Sequence, residues 1–269
     1  MVSEVPKLVN KFIEISNNGW IEGVNNYSNS IGLTFEKELG KKIDSLYFPD
    51  YHGIEIKCSS RYSRYPIYLF SIAFDGPTFP EINRIVEKYG WFDHEFVNKK
   101  ILMTRIRYKS KTKIKSGFQF KFELDEQEEK LYLCVYDIEG ILIEKESFIY
   151  LSSIYNHLCL KLSNLAIIYA STKKDSNKKY HRYYEINVYK LISFDRFIEL
   201  LKNDDIGVSF LARLGRSGDN KGKYKNKSLT FELKKEDIFK LYNIEYYYNS
   251  DTNQEFSIFE NYGTTNALV

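Results

Sequence analysis

The chain has little cysteine, proline, methionine or tryptophan: 3 Cys, 5 Pro, 2 Met and 2 Trp among 269 residues. Cys58, Cys134 and Cys159 stand singly in apolar or strand-like surroundings, and no C-x-x-C pair occurs. That excludes a disulfide framework and predicts reduced, buried thiols of a cytoplasmic protein. The histidines, His52, His94, His157 and His181, have no metal-ligand spacing. No apolar run approaches the roughly 20 residues that a membrane-spanning helix requires. Residues 1 to 15 interleave Glu4, Lys7, Lys11 and Glu14 with apolar positions, so the uninterrupted apolar core of a signal peptide is missing. Internal repeats and long linkers are absent as well. The expectation is a cytoplasmic protein with no membrane partner.

Core material, by contrast, is ample. Hydrophobic residues make up 43% of the chain and aromatics 16%, with 23 Tyr and 19 Phe. This suits one large domain or two lobes of one folded unit. A net charge of +3 is mild, but the charges are unevenly spread. Acidic blocks at 123–129, 137–146 and 199–205 offset strongly basic ones.

Residues 5 to 16 have the periodicity of an amphipathic helix, which Asn17-Asn18-Gly19 ends. The Asn/Ser/Gly-rich segment 22–32 predicts a loop. Thr34 can then cap a helix from Phe35 to Leu39, closed by Gly40. Strands are predicted over 50–57, 67–74, 100–109, 118–124, 130–137, 141–144 and 164–170, with a helix over 80–89. Residues 171–179 predict a polar loop leading to an alternating strand at 183–192. Ser193 caps a helix over 194–202. A hairpin follows, with strands at 207–214 and 228–233 around a basic loop, and a helix over 235–242 closes the pattern.

The chemistry concentrates in residues 48 to 60, Phe-Pro-Asp-Tyr-His-Gly-Ile-Glu-Ile-Lys-Cys-Ser-Ser. As a strand, Gly53 to Cys58 points Glu55 and Lys57 to one face and Ile54 and Ile56 to the other. Two residues along a strand span roughly 6 to 7 Å. The Glu55 carboxylate and the Lys57 ammonium can therefore share one phosphate-sized site, with Asp50 entering from the preceding turn as a second oxygen ligand. Carboxylate oxygens suit hard divalent ions such as Mg²⁺. A neighbouring lysine can hold an attacking water and stabilise charge developing on phosphate. The bare pattern is a weak signal in a chain with 13 Asp, 23 Glu and 30 Lys, since chance supplies on the order of two matches over all tolerated spacings. A salt-bridged edge strand is the competing reading.

Ahead of this strand stands Gly32-Leu-Thr-Phe-Glu-Lys-Glu-Leu-Gly40. The G-x-T-x-E-x-x-L-G pattern followed by D-x4-E-x-K resembles the MutH and MvaI/BcnI branch of the restriction-endonuclease-like PD-(D/E)xK nucleases. Residues 162–242 are similar to that family's C-terminal half, including Val208-Ser-Phe-Leu-Ala-Arg-Leu-Gly-Arg-Ser-Gly218 and Leu229-Thr-Phe-Glu-Leu233. The resemblance implies an α/β (mixed α+β) fold, with a central mixed sheet flanked by helices in a two-lobed clamp. A catalytic lobe over 1–125 and a mainly DNA-recognising lobe over 126–269 are expected.

It further implies a type II restriction endonuclease that cleaves double-stranded DNA with Mg²⁺, or Mn²⁺, and leaves a 5′ phosphate. Asp50, Glu55 and the Ile56 carbonyl would hold the metal, Lys57 would be the catalytic lysine, and Glu36 the helix-borne acid, with Glu38 as its competitor. Monomeric action is implied, with a dimer on DNA left open and a cognate DNA methyltransferase expected as genetic partner. The chain departs from the family at Lys225-Asn226-Lys227-Ser228, where a histidine-bearing segment is usual, and this leaves the recognised base pairs open.

DNA contacts are expected from Arg61 and Arg64 after the motif strand, and from Arg213, Arg216, Lys221, Lys223, Lys225 and Lys227 in the basic hairpin loop. Guanidinium forks suit guanine edges and lysines suit phosphates; a solvated hairpin tip is the alternative. Arg105, Arg107 and Lys109 to Lys115 form a second basic stretch, and Lys173 to Arg182 a third. His52 could touch a phosphate or simply fill a turn. Two rival functions stay open: a mismatch-repair-type strand-nicking endonuclease, and a non-catalytic sequence-specific DNA-binding module.

Overall fold

The computed structural model describes residues 4–41 and 49–258. In chain order the larger elements are helices α1 (Val5–Asn17) and α2 (Ser30–Glu38), strands β1 (Glu55–Ser59) and β2 (Ile67–Ile72), and helix α3 (Glu81–Tyr89). Strands β3 (Lys100–Ile106), β4 (Gln119–Asp125), β5 (Lys130–Tyr136), β6 (Leu142–Glu144), β7 (Asn164–Asp175) and β8 (Lys178–Leu191) follow. Helix α4 (Phe194–Lys202) precedes β9 (Ile206–Leu214), β10 (Tyr224–Leu233), β11 (Tyr242–Asn249) and β12 (Gln254–Ser257). The mixed α/β class expected from the sequence is what forms. Among the described residues no helix is long and apolar enough to cross a membrane.

Two compact units result, interleaved along the chain. The first comprises the chain up to Arg64, Cys159–Ile192 and the chain from Tyr242; the second comprises Tyr65–Leu158 and Ser193–Leu241. A contiguous boundary at 125/126 does not coincide with this division. It falls in the turn between β4 and β5, which pair from Gln119↔Tyr136 to Asp125↔Lys130 within the second unit.

In the first unit the strands run in the order β12-β11-β8-β7-β1. β1 lies parallel to β7 at the sheet edge and the remaining pairs are antiparallel. Helix α1 opens with Pro6 in its first turn, where a missing N–H costs nothing. It buries Val5, Leu8, Val9, Phe12 and Ile15 at helical spacing. These pack with Phe35 of α2 and with Ile54, Ile56, Ala166, Ile168, Ile186 and Val188 of the sheet. Each fully buried large side chain among them contributes roughly 1.5–3 kcal/mol. Since Ile54 and Ile56 face the helices, strand alternation sends Glu55 and Lys57 to the opposite face.

Several expectations need correction. Helix α2 begins at Ser30, inside the segment expected to be a loop, and Thr34 is not its cap: Thr34 is buried and its hydroxyl accepts the Val24 N–H at 3.1 Å. Residues 171–179 are no loop, because β7 and β8 continue as a long hairpin with a turn at Ser176 and Asn177, whose φ values are 46° and 68°. Its arm is polar because it is solvated, not because it is irregular. Tyr242 does not end a helix; it opens β11 opposite Leu191. Of the thiols, only Cys134 is fully buried, with Cys58 and Cys159 partly accessible.

The second unit holds the sheet β2-β10-β9-β3, extended by Trp91–Phe92, and a smaller sheet around β4, β5 and β6. Phe70 stacks on Phe231 at 4.8 Å between ring centres, and Phe197 of α4 packs against both. Ser193 caps α4 as expected, accepting the Arg196 N–H at 3.0 Å.

Helix α3 is tied to β6 by a buried ionic network. The Glu144 carboxylate accepts from Lys88 Nζ at 2.6 Å, Tyr89 Oη at 2.5 Å and both Arg84 Nη atoms, while Arg84 also reaches Glu81. Burial works to raise the Glu144 carboxyl, but Arg84, Lys88 and Tyr89 outweigh it and hold it down to about 2, from an ordinary 4.5. A carboxyl depressed by folding contributes stability above its unfolded value and loses it as pH falls through the folded one. Urea unfolding should therefore show stability dropping between about pH 4.5 and 2. Glu144→Gln should lose about 2 kcal/mol or more at pH 7 and flatten that acid limb; a variant as acid-sensitive as the parent would show that the network is not its cause.

Candidate active site

The site is built on a two-residue turn. The Tyr51 N–H donates to the Ile54 carbonyl at 2.9 Å and the Ile54 N–H donates to the Tyr51 carbonyl at 2.8 Å. His52 and Gly53 between them have φ values of 43° and 87°. Positive φ at both central positions is the type I′ geometry that reverses a strand tightly. His52 thus occupies the turn, with its side chain exposed; Phe48, the first residue of the motif segment, lies outside the described residues.

The reversal lays Asp50 along the open edge of β1, where its Oδ2 accepts the Ile56 N–H at 3.0 Å. Because the N–H and C=O of one strand residue point to the same side, the Ile56 carbonyl is directed to that edge too. On the face away from the helices, Lys57 Nζ donates to Glu55 Oε1 at 2.7 Å. The neighbouring strand places Leu165 opposite Glu55 and Ile167 opposite Lys57, both buried, so the carboxylate stands on an apolar floor.

Electrostatics separates the two carboxyls. Burial pushes Asp50 up, but Lys41 at 2.5 Å, the Ile56 N–H and the charge of Lys57 prevail and hold it below the usual carboxylate range. Burial pushes Glu55 up and prevails there, with Asp50 adding to it against Lys57 and Lys161. Glu55 Oε2 is buried and has no hydrogen-bond partner among the described residues. Lys161 Nζ lies 3.6 Å from it, a charge neighbour beyond hydrogen-bond reach. A buried anionic oxygen without a donor, beside Asp50 and a strand carbonyl, is an oxygen set that fits a hard divalent cation. Among the described residues no three His, Cys, Asp or Glu side chains come together as a ligand cluster. A cation here would complete its shell with the carbonyl, water and substrate oxygens.

Glu36 lies on α2, whose start is fixed by Ser30 Oγ at 3.0 Å from His181 Nε2. Burial, then the charges of Glu36 and Asp50, push the Cys58 thiol up, which places Glu36 within electrostatic range of β1; Glu38 acts instead on Tyr183. Lys41 and Lys161 are site residues that the sequence did not signal: one follows a helix stop, the other a helical turn, and nothing in spacing sets either apart from other lysines.

The basic candidates are not equivalent. Arg61 is largely exposed, 3.5 Å from Glu185, and Arg64 is exposed. In the hairpin, whose loop runs only from 215 to 223, Arg213, Lys223 and Lys225 expose their side chains. Arg216 makes a two-pronged pair with Asp93, Lys221 lies 3.3 Å from Glu95, and Lys227 donates to Asn83 at 2.6 Å. Arg61 and Arg64 belong to the first unit and the hairpin to the second.

The family model for the MvaI/BcnI restriction endonuclease family matches residues 9–242. Among solved structures, the complex of the restriction endonuclease MvaI with its cognate DNA substrate matches with a TM-score of 0.82 and 26% identity, covering 91% of this chain and 98% of that one. The restriction endonuclease MvaI in the absence of DNA matches with the same identity and coverage and a TM-score of 0.58. No curated protein matches.

The turn makes a direct prediction. Gly53→Ala should lower stability by about 1 kcal/mol, since an added Cβ meets no atom but a positive φ is costly. His52→Asn, which creates the preferred Asn-Gly pair, should leave stability unchanged or slightly raised. Urea midpoints of the two variants test this; the reverse ranking would give His52 a role beyond the turn.

Proposed function

The chain belongs to the MvaI/BcnI restriction endonuclease family, and from that premise we propose that it hydrolyses duplex DNA at a short specific sequence through Asp50, Glu55 and Lys57. The observation that carries this reading is the meeting of these three side chains at the edge of β1, with one Glu55 oxygen buried and without a donor. The first unit, which bears them, is the catalytic one in this reading; the second, with its basic hairpin, reads the DNA.

Asp50, Glu55 and the Ile56 carbonyl would hold Mg²⁺, with Mn²⁺ as a substitute. That ion, when bound, neutralises charge on the phosphate and on the leaving oxygen. Lys57 has its ammonium anchored by Glu55, and so is directed at a fixed point on the strand face. It holds the attacking water in line with the scissile bond and offsets negative charge as phosphorus is attacked. A water oxygen–phosphorus bond forms, the bond from phosphorus to the 3′ oxygen breaks, and the proton released ends on that 3′ oxygen. The products carry a 5′ phosphate and a 3′ hydroxyl. Glu36, on α2, supplies a further negative charge facing the site through water. The apolar floor of Leu165 and Ile167 lowers the local dielectric, which strengthens each of these interactions.

Digestion of a long unmethylated DNA with Mg²⁺, Mn²⁺ or EDTA, followed by sequencing of fragment ends, tests the reading. Discrete fragments with 5′ phosphates, lost in EDTA, are expected. Asp50→Ala, Glu55→Ala and Lys57→Ala should each reduce cleavage by roughly 10²-fold or more while DNA binding stays measurable by gel shift. Full cleavage by any of the three would overturn the assignment of that residue.

A further inference from the structure

Of the basic residues in the β9–β10 hairpin, Arg216 is the one held by a buried acid outside the hairpin. Asp93, just after the short strand Trp91–Phe92, has a side chain with no solvent exposure. Its Oδ1 accepts the Glu95 N–H at 2.9 Å, the Phe96 N–H at 3.0 Å and Arg216 Nη1 at 2.7 Å, and its Oδ2 accepts Arg216 Nη2 at 2.6 Å. Every oxygen of this buried carboxylate is satisfied. Both Nη atoms of the Arg216 fork are engaged by it, which fixes the guanidinium plane against the Asp93 carboxylate.

The loop closes around this pair. The Gly215 N–H donates to the Lys223 carbonyl and the Gly222 N–H to the Gly215 carbonyl, each at 2.9 Å. Lys99 Nζ donates to the Gly222 carbonyl at 2.6 Å. Gly222 has a φ of 71°, and a Cβ there would stand 3.0 Å from the Phe96 ring. A Cβ on Gly215 would lie 2.2 Å from the Asn220 carbonyl oxygen. Two glycines, a lysine and the Asp93–Arg216 pair thus confine the segment to one shape, from whose rim Arg213, Lys223 and Lys225 project into solvent. A register shift beside Arg213 re-aims the chain at that point.

The geometry points to Asp93 and Arg216 as positioning residues that hold the basic loop in the shape in which Arg213, Lys223 and Lys225 meet DNA. This rests on the proposed reading of the hairpin as a DNA contact. Preorganised contacts bind more tightly because less freedom is lost on association. Removing the pin therefore weakens binding without touching the hydrolytic groups, which belong to the first unit.

The sign of one substitution separates this from general charge attraction. Asp93→Asn removes a negative charge from the unit that meets a polyanion, and simple electrostatics would tighten binding. Positioning requires the opposite. With full-length protein and a fluorescent duplex carrying the cleavage sequence, in EDTA, Asp93→Asn and Arg216→Gln should each raise the dissociation constant by about tenfold. The double variant should bind no worse than either single one, and with Mg²⁺ KM should rise while kcat holds. Replacing Arg213, Lys223 and Lys225 together by Ala should weaken binding at least as much. Asp93→Asn binding as well as the parent, while that triple variant loses binding, overturns the positioning role. A triple variant that binds like the parent overturns the hairpin as a DNA contact, and the proposal with it. Should Asp93→Asn fail to fold, Arg216→Lys, which keeps the charge and breaks the two-pronged pair, takes its place, since the Arg216 side chain is 40% exposed and tolerates replacement; parental affinity in that variant overturns the proposal.

Discussion

An edge strand leaves alternate N–H and C=O groups without a ladder partner, and at β1 the Ile56 N–H finds its partner in Asp50. Much follows from that bond. It sets the distance of one carboxylate from the strand, and the strand's own two-residue repeat sets the distance between the other two charged groups. The I′ turn at His52 and Gly53 makes the bond possible, because a longer connection would leave Asp50 to find its place among many conformations. Behind the strand, Ile54 and Ile56 lock it onto α1 and α2, so that a slip of one residue would put Glu55 and Lys57 into the apolar core. The register of the site is therefore enforced by the hydrophobic core and not by the charged groups themselves.

The environments of the two carboxyls shift them in opposite directions. Asp50 lies where a lysine, a backbone donor and a second lysine all favour its charge. Glu55 projects over Leu165 and Ile167, where water is excluded and only one oxygen is engaged by Lys57. The ionic network of Glu144 is built otherwise: its carboxylate is surrounded by donors, and it joins a helix to a strand.

Much of the first unit could be read from the chain, and the reasons are local. The alternation Ile54-Glu55-Ile56-Lys57 needs only the period of a strand, and the apolar positions of α1 only the period of a helix. Ser193 shows its capping role in three residues. What escaped was non-local. The arm of β7 and β8 has the composition of a loop because most of its side chains are exposed, and pairing across a turn leaves no mark in one strand by itself. Ser30 starts α2 through a histidine 151 positions away. Lys41 and Lys161 approach the carboxyls only after folding. Arg216 looks like its neighbours until Asp93, distant in sequence, takes its fork. Basic residues in a glycine-containing loop are a sound general sign of a nucleic-acid contact, but their division into structural and exposed members is decided by acids elsewhere in the chain.

The interleaving of the two units bears on how the protein comes into being on the ribosome. The chain leaves the first unit after Arg64, returns at Cys159, leaves again after Ile192 and returns finally at Tyr242. Strand β11 lies between β8 and β12, and its Tyr246 belongs to the same core that seats Ile54 and Ile56. The second unit is complete at Leu241 and can emerge from the exit tunnel whole, while the sheet that presents Asp50, Glu55 and Lys57 waits for the strands that begin at Tyr242. A nascent chain thus completes the unit that bears the basic hairpin before the sheet that presents Asp50, Glu55 and Lys57, and a chain cut short before Tyr242 lacks part of that sheet's core.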